Sequence, residues 1–377
     1  MRDALAERLL AKVMSWSPED IARERPALQA MASYKYDEYR QFSPGMRYVE
    51  SLALWLSQFR SAEERATAYE FSKRRLVFCS SAEMYHLVSI AYPDHIRPLL
   101  LRKVAIDMGL NERHVSRVAS SVAFRVRQRQ CLFLGLSDGA RIDAFRRYNQ
   151  GSLSHEQIWQ TYEVSDEGAK SLLKELRGDV TALFEGDPPE DALKFRTVVL
   201  LDDFSGSGVS YLRGGENGEF KGKIAKFKHA VATDGSAVSK LVDIKGAEIL
   251  VVLYMATEQA RSWLETMSRQ LWEPHGAEAH VVVVYPLGRD ICIKRDDGSA
   301  ICQLVDAYYD PSLYDEHLRQ GGTLDAKYGF ADCGLPLVLS HNTPNNSISL
   351  LWSYEGRKVR GLFPRVQRHK GTDEGAS

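Results

Sequence analysis

The segment Thr197-Val-Val-Leu-Leu201 constrains the fold more than any other, because an apolar run of this length with no charged residue is a strand covered on both faces. Such strands belong to parallel sheets with helices packed on each side. Cys131-Leu-Phe-Leu134, Glu248-Ile-Leu-Val-Val-Leu253 and His280-Val-Val-Val-Val284 have the same character, and a helix-length segment separates each from the last. The alternation predicts an α/β fold with a parallel sheet flanked by helices. Before about residue 128 the apolar positions recur at helical spacing instead. Ser61-Ala-Glu-Glu64 and Ser80-Ser-Ala-Glu83 read as capping boxes, Ser17-Pro18 as a cap before a first-turn proline, and Leu5, Leu9 and Val13 as one apolar stripe. Residues 1–128 are therefore expected to form an all-helical N-terminal domain. Residues 129–370 follow as an α/β domain ending in an irregular C-terminal hood, and residues 371–377 as a disordered tail. Ser154-His-Glu-Gln157 is expected to start a further capped helix, and the glycine- and lysine-rich stretch from Gly214 to Gly235 to form a loop.

Composition removes several classes of function. Basic and acidic residues number 49 and 50, so no global attraction to nucleic acid or an anionic membrane exists, and only a local patch could supply one. The five cysteines contain no C-x-x-C pair, which suits free thiols in a reducing cytoplasm better than a disulfide framework. No apolar run is long enough to span a bilayer, and the first residues, MRDALAERLLAKVMSW, lack the basic and apolar regions of a secretion signal. His-Glu-x-x-His, paired-cysteine and Gly-x-Ser-x-Gly patterns are absent, so structural zinc and serine hydrolase chemistry are not expected.

Chemistry is concentrated in Val198-Val-Leu-Leu-Asp-Asp-Phe-Ser-Gly-Ser-Gly-Val-Ser210. A buried strand presents two adjacent carboxylates at its end, and a small-residue loop then opens into a helix. A loop of this kind exposes consecutive N–H groups and is a ready phosphate cradle. Carboxylates beside a phosphate repel it, unless they accept hydrogen bonds from sugar hydroxyls next to that phosphate; the composite target is a ribose 5-phosphate. The alternative is an ordinary strand-to-loop turn with two exposed aspartates. The segment resembles the PRPP-binding motif of type I phosphoribosyltransferases, with Asp202, Asp203, Ser207, Gly208 and Ser210 on the matching positions and serine where the family has threonine. The resemblance implies that Asp202 and Asp203 hold the ribose hydroxyls, while Ser205, Gly206, Ser207, Gly208, Val209 and Ser210 wrap the 5-phosphate.

Leu132-Phe-Leu-Gly-Leu-Ser-Asp-Gly-Ala-Arg141 occupies the place of that family's pyrophosphate loop. The resemblance implies that Gly135, Ser137, Asp138, Gly139, Ala140 and Arg141 face a diphosphate, with a charge-assisted contact from Arg141; Ser-Asp-Gly is also an ordinary turn. Attack on C1 of PRPP passes through a cationic sugar and depends on positioning and charge stabilisation. Mg²⁺ is then expected to be held mainly by substrate oxygens and water, with no dedicated protein metal site. If water is the acceptor, Asp138 or Asp203 would serve as acid or base. The segment between the loops, about fifty residues, reads mostly as helix where that family has further strands and a flexible catalytic loop, and the lysine-rich stretch from Gly214 is a substitute in an unusual place.

The string Leu337-Val-Leu-Ser-His-Asn-Thr-Pro-Asn-Asn346 with Ile348–Trp352 is the candidate hood, in which His341, Asn342, Asn345 and Asn346 would read a base and Trp352 would stack on it. The alternative is a turn held by its own Asn and Pro residues, with Trp352 in the core. Together with the helical leader and the PRPP-like motif, this tail resembles the PRTase-CE group of bacterial phosphoribosyltransferase-like proteins associated with conflict systems, including some retrons. The implied role is an antiphage effector acting on PRPP or a nucleotide by ribosyl transfer or N-glycosidic cleavage, with a defence-system protein or nucleoprotein as partner. A non-catalytic ribose-phosphate or nucleotide sensor acting through its helical domain is the competing reading. Val104–Val118 has helix-turn-helix spacing beside Arg113, Arg117, Arg125, Arg127 and Arg129, which makes it the candidate for nucleic-acid contact, although charged helical faces usually meet only water.

Overall fold

The computed structural model describes residues 2–161, 163–184, 186–215 and 218–366; residues 371–377, expected to form a tail, lie outside them. Nine strands run among the described residues: β1 (Val77–Cys79), β2 (Cys131–Gly135), β3 (Ile158–Trp159), β4 (Thr197–Ser205), β5 (Arg213–Gly214), β6 (Phe220–Lys221), β7 (Glu248–Thr257), β8 (Glu278–Leu287) and β9 (Leu337–Leu339). The chain forms two compact units, Met84–Leu287 and Met1–Glu83 together with Gly288–Ser377.

The unit Met84–Leu287 is built on a five-stranded sheet in the order β3-β2-β4-β7-β8, and every neighbouring pair is parallel. Each of the four long apolar runs became a strand of this sheet. Alternate residues supply alternate faces. Leu132, Leu134, Val198, Leu200, Ile249, Val251 and Leu253 pack in one cluster with Leu176 of helix Asp166–Thr181, Phe227 of helix Lys223–Ala232 and Trp272 of helix Glu258–Trp272. On the other face Phe133 meets Phe145 of helix Ile142–Tyr148 and Tyr92, with ring centroids 5.2 and 6.0 Å apart. Each fully buried aliphatic side chain here contributes about 1.5–3 kcal/mol.

The strand order places a reversal between β2 and β4. From β2 the chain crosses outward to β3, and all later strands add on the other side. Right-handed crossovers in opposite directions put their helices on opposite faces, as found for helix Ile142–Tyr148 against the other three. A crevice therefore opens at the carboxyl ends of β2 and β4, the usual ligand edge of an open α/β sheet.

In the other unit, β1 pairs in parallel with β9. Helix Tyr48–Ser57 supplies Tyr48, Trp55 and Leu56 to a core shared with Leu350, Leu351 and Phe363. The Trp55 indole N–H donates to the Leu350 carbonyl at 2.9 Å, and the Ser51 hydroxyl donates to the Leu362 carbonyl at 2.6 Å. These units divide the chain at 83/84 and 287/288, not at 128/129. The irregular C-terminal segment has polar backbone to satisfy, and the N-terminal helices provide the partners.

Four local expectations differ from the fold. The stretch after Gly214 is an antiparallel β5–β6 hairpin followed by a ten-residue helix, Lys223–Ala232, because Ile224, Phe227 and Val231 keep helical spacing beneath the lysines. Ser154 and Gln157 do form a capping box, but on a single 3₁₀ turn that leads into β3. The candidate recognition helix is only five residues long, Val115–Ala119. Val77–Cys79 is a strand within the region read as all helix. The Ser17 and Ser61 caps form as expected, and Ser80 and Glu83 bond reciprocally. Among the described residues, no helix is long and apolar enough to cross a membrane.

Candidate functional site

At the carboxyl end of β4 the two aspartates have different surroundings. Asp202 is fully buried. Its Oδ1 accepts from the Ser137 hydroxyl at 2.5 Å and from the Asp203 N–H at 3.1 Å, and its Oδ2 accepts from Lys223 Nζ at 2.6 Å. Burial raises the Asp202 pKa, and the Asp203 charge raises it further, while Lys223 and Ser137 oppose the shift. Asp203 is partly exposed, and its Oδ1 accepts from the Phe204 N–H at 2.8 Å. Asp203 thus keeps part of its surface exposed, whereas Asp202 ties both loops and Lys223 together.

The turn after β4 is held by its own serines. The Ser205 hydroxyl accepts from the Gly208 N–H at 3.1 Å, and the Ser207 hydroxyl from the Val209 N–H at 3.3 Å. Gly208 has φ +79°, and a Cβ there would lie 2.7 Å from Trp263 Cδ1, so only glycine fits. The N–H groups of Ser207 and Ser210 donate to no acceptor among the described residues. Two free donors on one small-residue turn give the concavity that suits an anion.

The second loop continues from β2 through one 3₁₀ turn, Asp138–Ala140, into helix Ile142–Tyr148. Gly135 ends β2 opposite Leu201. Asp138 is exposed, and Ala140 is buried. A Cβ on Gly139 would lie 2.5 Å from the Asp203 carboxylate, so this glycine lets the two loops touch. Arg141 adopts φ +49°, ψ +45°, a left-handed conformation that costs a side-chain-bearing residue about 1–2 kcal/mol. Its guanidinium lies 5.2 Å from the Tyr85 ring centroid.

Residues of β7 and of the segments on either side of the β5–β6 hairpin complete the arrangement, and the sequence alone does not mark them as parts of the site. The Tyr254 hydroxyl donates to the Ala140 carbonyl at 2.7 Å, and the Thr257 hydroxyl donates to the Gly206 carbonyl at 2.5 Å. One strand therefore fixes both loops. Burial, then the two aspartate charges, push the Tyr254 pKa well up, so its hydroxyl stays a donor. Tyr211 places its ring 4.6 Å from Lys223 Nζ and donates its hydroxyl to the Phe204 carbonyl at 2.8 Å. The signals were present but mute: Lys223 is one lysine among several, and Thr257 reads as a helix cap, which it also is.

The residues expected to read a base lie in the unit formed by the chain ends. Trp352 is 1% exposed, and its indole N–H donates to the Ser347 carbonyl at 2.8 Å. Asn346 is buried and donates to the Phe330 carbonyl and the Cys333 sulfur at 3.2 and 3.3 Å. Neither side chain offers a free face, which corrects the stacking and base-reading roles given to them. His341 and Asn342 form a tight turn after β9 and are partly exposed, as is Asn345, whose carbonyl accepts from the Phe330 N–H. Among the described residues, no cluster of His, Cys, Asp and Glu has the makings of a metal site.

A parallel sheet of five strands with its reversal between two loop-bearing strands, an acidic pair on one and a small-residue turn beyond it, defines a phosphoribosyltransferase-like α/β protein. More narrowly, a model of the PRTase-CE family matches residues 52–365, and the chain belongs to that family. Comparison with curated proteins and with solved structures returns no match.

Proposed function

We propose that this protein binds the ribose 5-phosphate portion of PRPP or of a nucleotide and acts at C1 of that sugar, by ribosyl transfer or N-glycosidic cleavage, as an effector in antiphage defence. The observation that carries the reading is the meeting of two loops at the β2/β4 crevice, where the free N–H groups of Ser207 and Ser210 stand beside the partly exposed Asp203 carboxylate. The turn takes the 5-phosphate, and Asp203 accepts from the sugar hydroxyls. The loop from Ser137 to Arg141 faces the group leaving C1. The left-handed Arg141 supports this assignment, since strain of that kind gathers at functional loops.

In transfer, the acceptor's electron pair forms a bond to C1 as the C1–O bond breaks, and diphosphate leaves with that bond's electrons. In cleavage, a water oxygen bonds to C1, the C1–N bond breaks, and the base departs with its electron pair and takes up a proton; exposed Asp138 is the candidate acid or base. Mg²⁺ suits the oxygen donors of this site, Asp138 and Asp203 with the substrate's own oxygens, and supplies charge neutralisation on a leaving diphosphate.

A second reading, a ribose-phosphate sensor without catalysis, is favoured by one observation. Asp202 is closed in by Ser137 and Lys223 and cannot accept from a sugar without losing one of them. Release of pyrophosphate from PRPP, or of free base from nucleotides, decides between the two. Turnover by the wild type that is abolished in Asp203→Asn supports catalysis; saturable binding with no release of either product rejects it in favour of the sensor.

A further inference from the structure

Ser210, the last hydroxyl of the phosphate turn, also lines an open groove between the β5–β6 hairpin and helix Lys223–Ala232. Five cations line it: Arg213, Lys221, Lys223, Lys226 and Lys228. Lys223 is paired with Asp202, while the other four make no ion pair among the described residues. Two carboxylates, Glu163 and Glu219, also reach the groove and leave the cations in excess. A charged helical face ordinarily meets water and spreads its charges. Here the cations come from two elements, converge on one concavity, and share that concavity with the residue that ends the cradle.

We propose that this groove holds further phosphates attached to the 5-phosphate, so that the ligand is a nucleoside 5′-polyphosphate, not a sugar bearing a single 5-phosphate. The inference rests on the turn from Gly206 to Ser210 being the 5-phosphate site. Geometry sets the direction: Asp203 lies at the strand end of the turn and Ser210 at the other, so a group entering the groove extends from the phosphate side. Chemistry sets the class. Single-stranded nucleic acid is bound by basic grooves interleaved with aromatic stacking platforms, whereas the aromatic contribution here is Phe220, at a partly buried position. A compact run of phosphates needs only closely spaced cations.

Lys223 links the groove to the sugar site. It lines the groove and holds Asp202 at 2.6 Å, so phosphates in the groove compete with Asp202 for the same ammonium. A polyphosphate tail thereby loosens the contact that keeps Asp202 from accepting a sugar hydroxyl.

Calorimetric titration with AMP, ADP, ATP, PRPP and a short single-stranded oligonucleotide tests this, comparing wild type with Lys226→Glu/Lys228→Glu and with the charge-conserving Lys226→Arg/Lys228→Arg. In the wild type, ATP is expected to bind tighter than AMP by about tenfold or more. The glutamate variant should erase that difference while leaving AMP affinity unchanged, and the arginine variant should retain it. Melting curves of the ligand-free variants establish that each is folded. Equal affinities for AMP and ATP in the wild type, or undiminished ATP affinity in a folded glutamate variant, overturns the groove assignment and leaves the cradle standing. An oligonucleotide that binds tighter than ATP through the same lysines overturns the polyphosphate assignment in favour of nucleic acid. Absence of binding by every phosphate ligand, PRPP included, overturns the cradle and with it this inference.

Discussion

Three donors converge on the Asp202 carboxylate, and the energetics of the site follow from that arrangement. The fold raises the Asp202 pKa through burial first and the Asp203 charge second, so it favours the protonated form. The unfavourable contribution is absent in acid, below the ordinary carboxyl value of 3.8, sets in as pH rises past that value, and is complete above the raised one. Lys223 opposes it. Replacing this lysine, Lys223→Met, is expected to cost about 1–3 kcal/mol at neutral pH, less than for a fully buried pair because the lysine side chain is 34% exposed. The deficit should shrink toward about pH 4, where the unpaired carboxyl is neutral more of the time. Denaturant unfolding at both pH values checks this, and an equal deficit at both would contradict it. None of this pairing was legible in the sequence. Asp202 and Asp203 were recognisable from the apolar strand before them and the small turn after them. Their division into a buried carboxylate and a partly exposed one depends on Ser137 and Lys223, which only the folded crevice brings together.

At the level of elements, β7 sets the geometry of both loops. Tyr254→Phe removes the hydroxyl donated to the Ala140 carbonyl and leaves the ring in place. The expected loss is about 1–3 kcal/mol for the unsatisfied buried carbonyl, with faster amide exchange over residues 137–141 and unchanged exchange over residues 206–210. Hydrogen exchange that quickens equally in both loops would show that Tyr254 acts on the sheet as a whole. The four principal strands were legible because each carries a run of at least four consecutive apolar residues, although β8, at the sheet edge, is only partly buried. The two-residue β3 and the three-residue β1 and β9 were not, since runs so short carry no period. Helix Lys223–Ala232 was hidden by its composition: a stretch rich in glycine and lysine reads as a loop until Ile224, Phe227 and Val231 are seen to share a buried face.

On the scale of the molecule, the two ends of the chain build one unit and the middle builds the other. Phe363 joins the ends of the chain, with ring centroids 5.2 Å from Tyr39, 5.7 Å from Tyr48 and 5.7 Å from Phe78. Truncation by Phe363→Ala is expected to cost about 3–5 kcal/mol, read as a lowered melting temperature with increased amide exchange in helix Tyr48–Ser57 as well as in the C-terminal segment. Protection lost only near residue 363 would contradict a shared core. A sequence read from its N-terminus suggests successive domains, and contacts more than three hundred positions apart, such as Tyr39 with Phe363, give no local sign of themselves. The β2/β4 crevice, by contrast, lies wholly within the middle unit, and it carries the functional account. The most direct measurement of that account is the melting temperature of the wild type, Asp203→Asn and Gly139→Ala with PRPP, ribose 5-phosphate and nucleotides in the presence of Mg²⁺. Ligand that binds only the native state must raise it. The account predicts stabilisation of the wild type that is lost both when Asp203 is neutralised and when a methyl group at residue 139 intrudes on its carboxylate; a folded wild type that no sugar phosphate stabilises would contradict it.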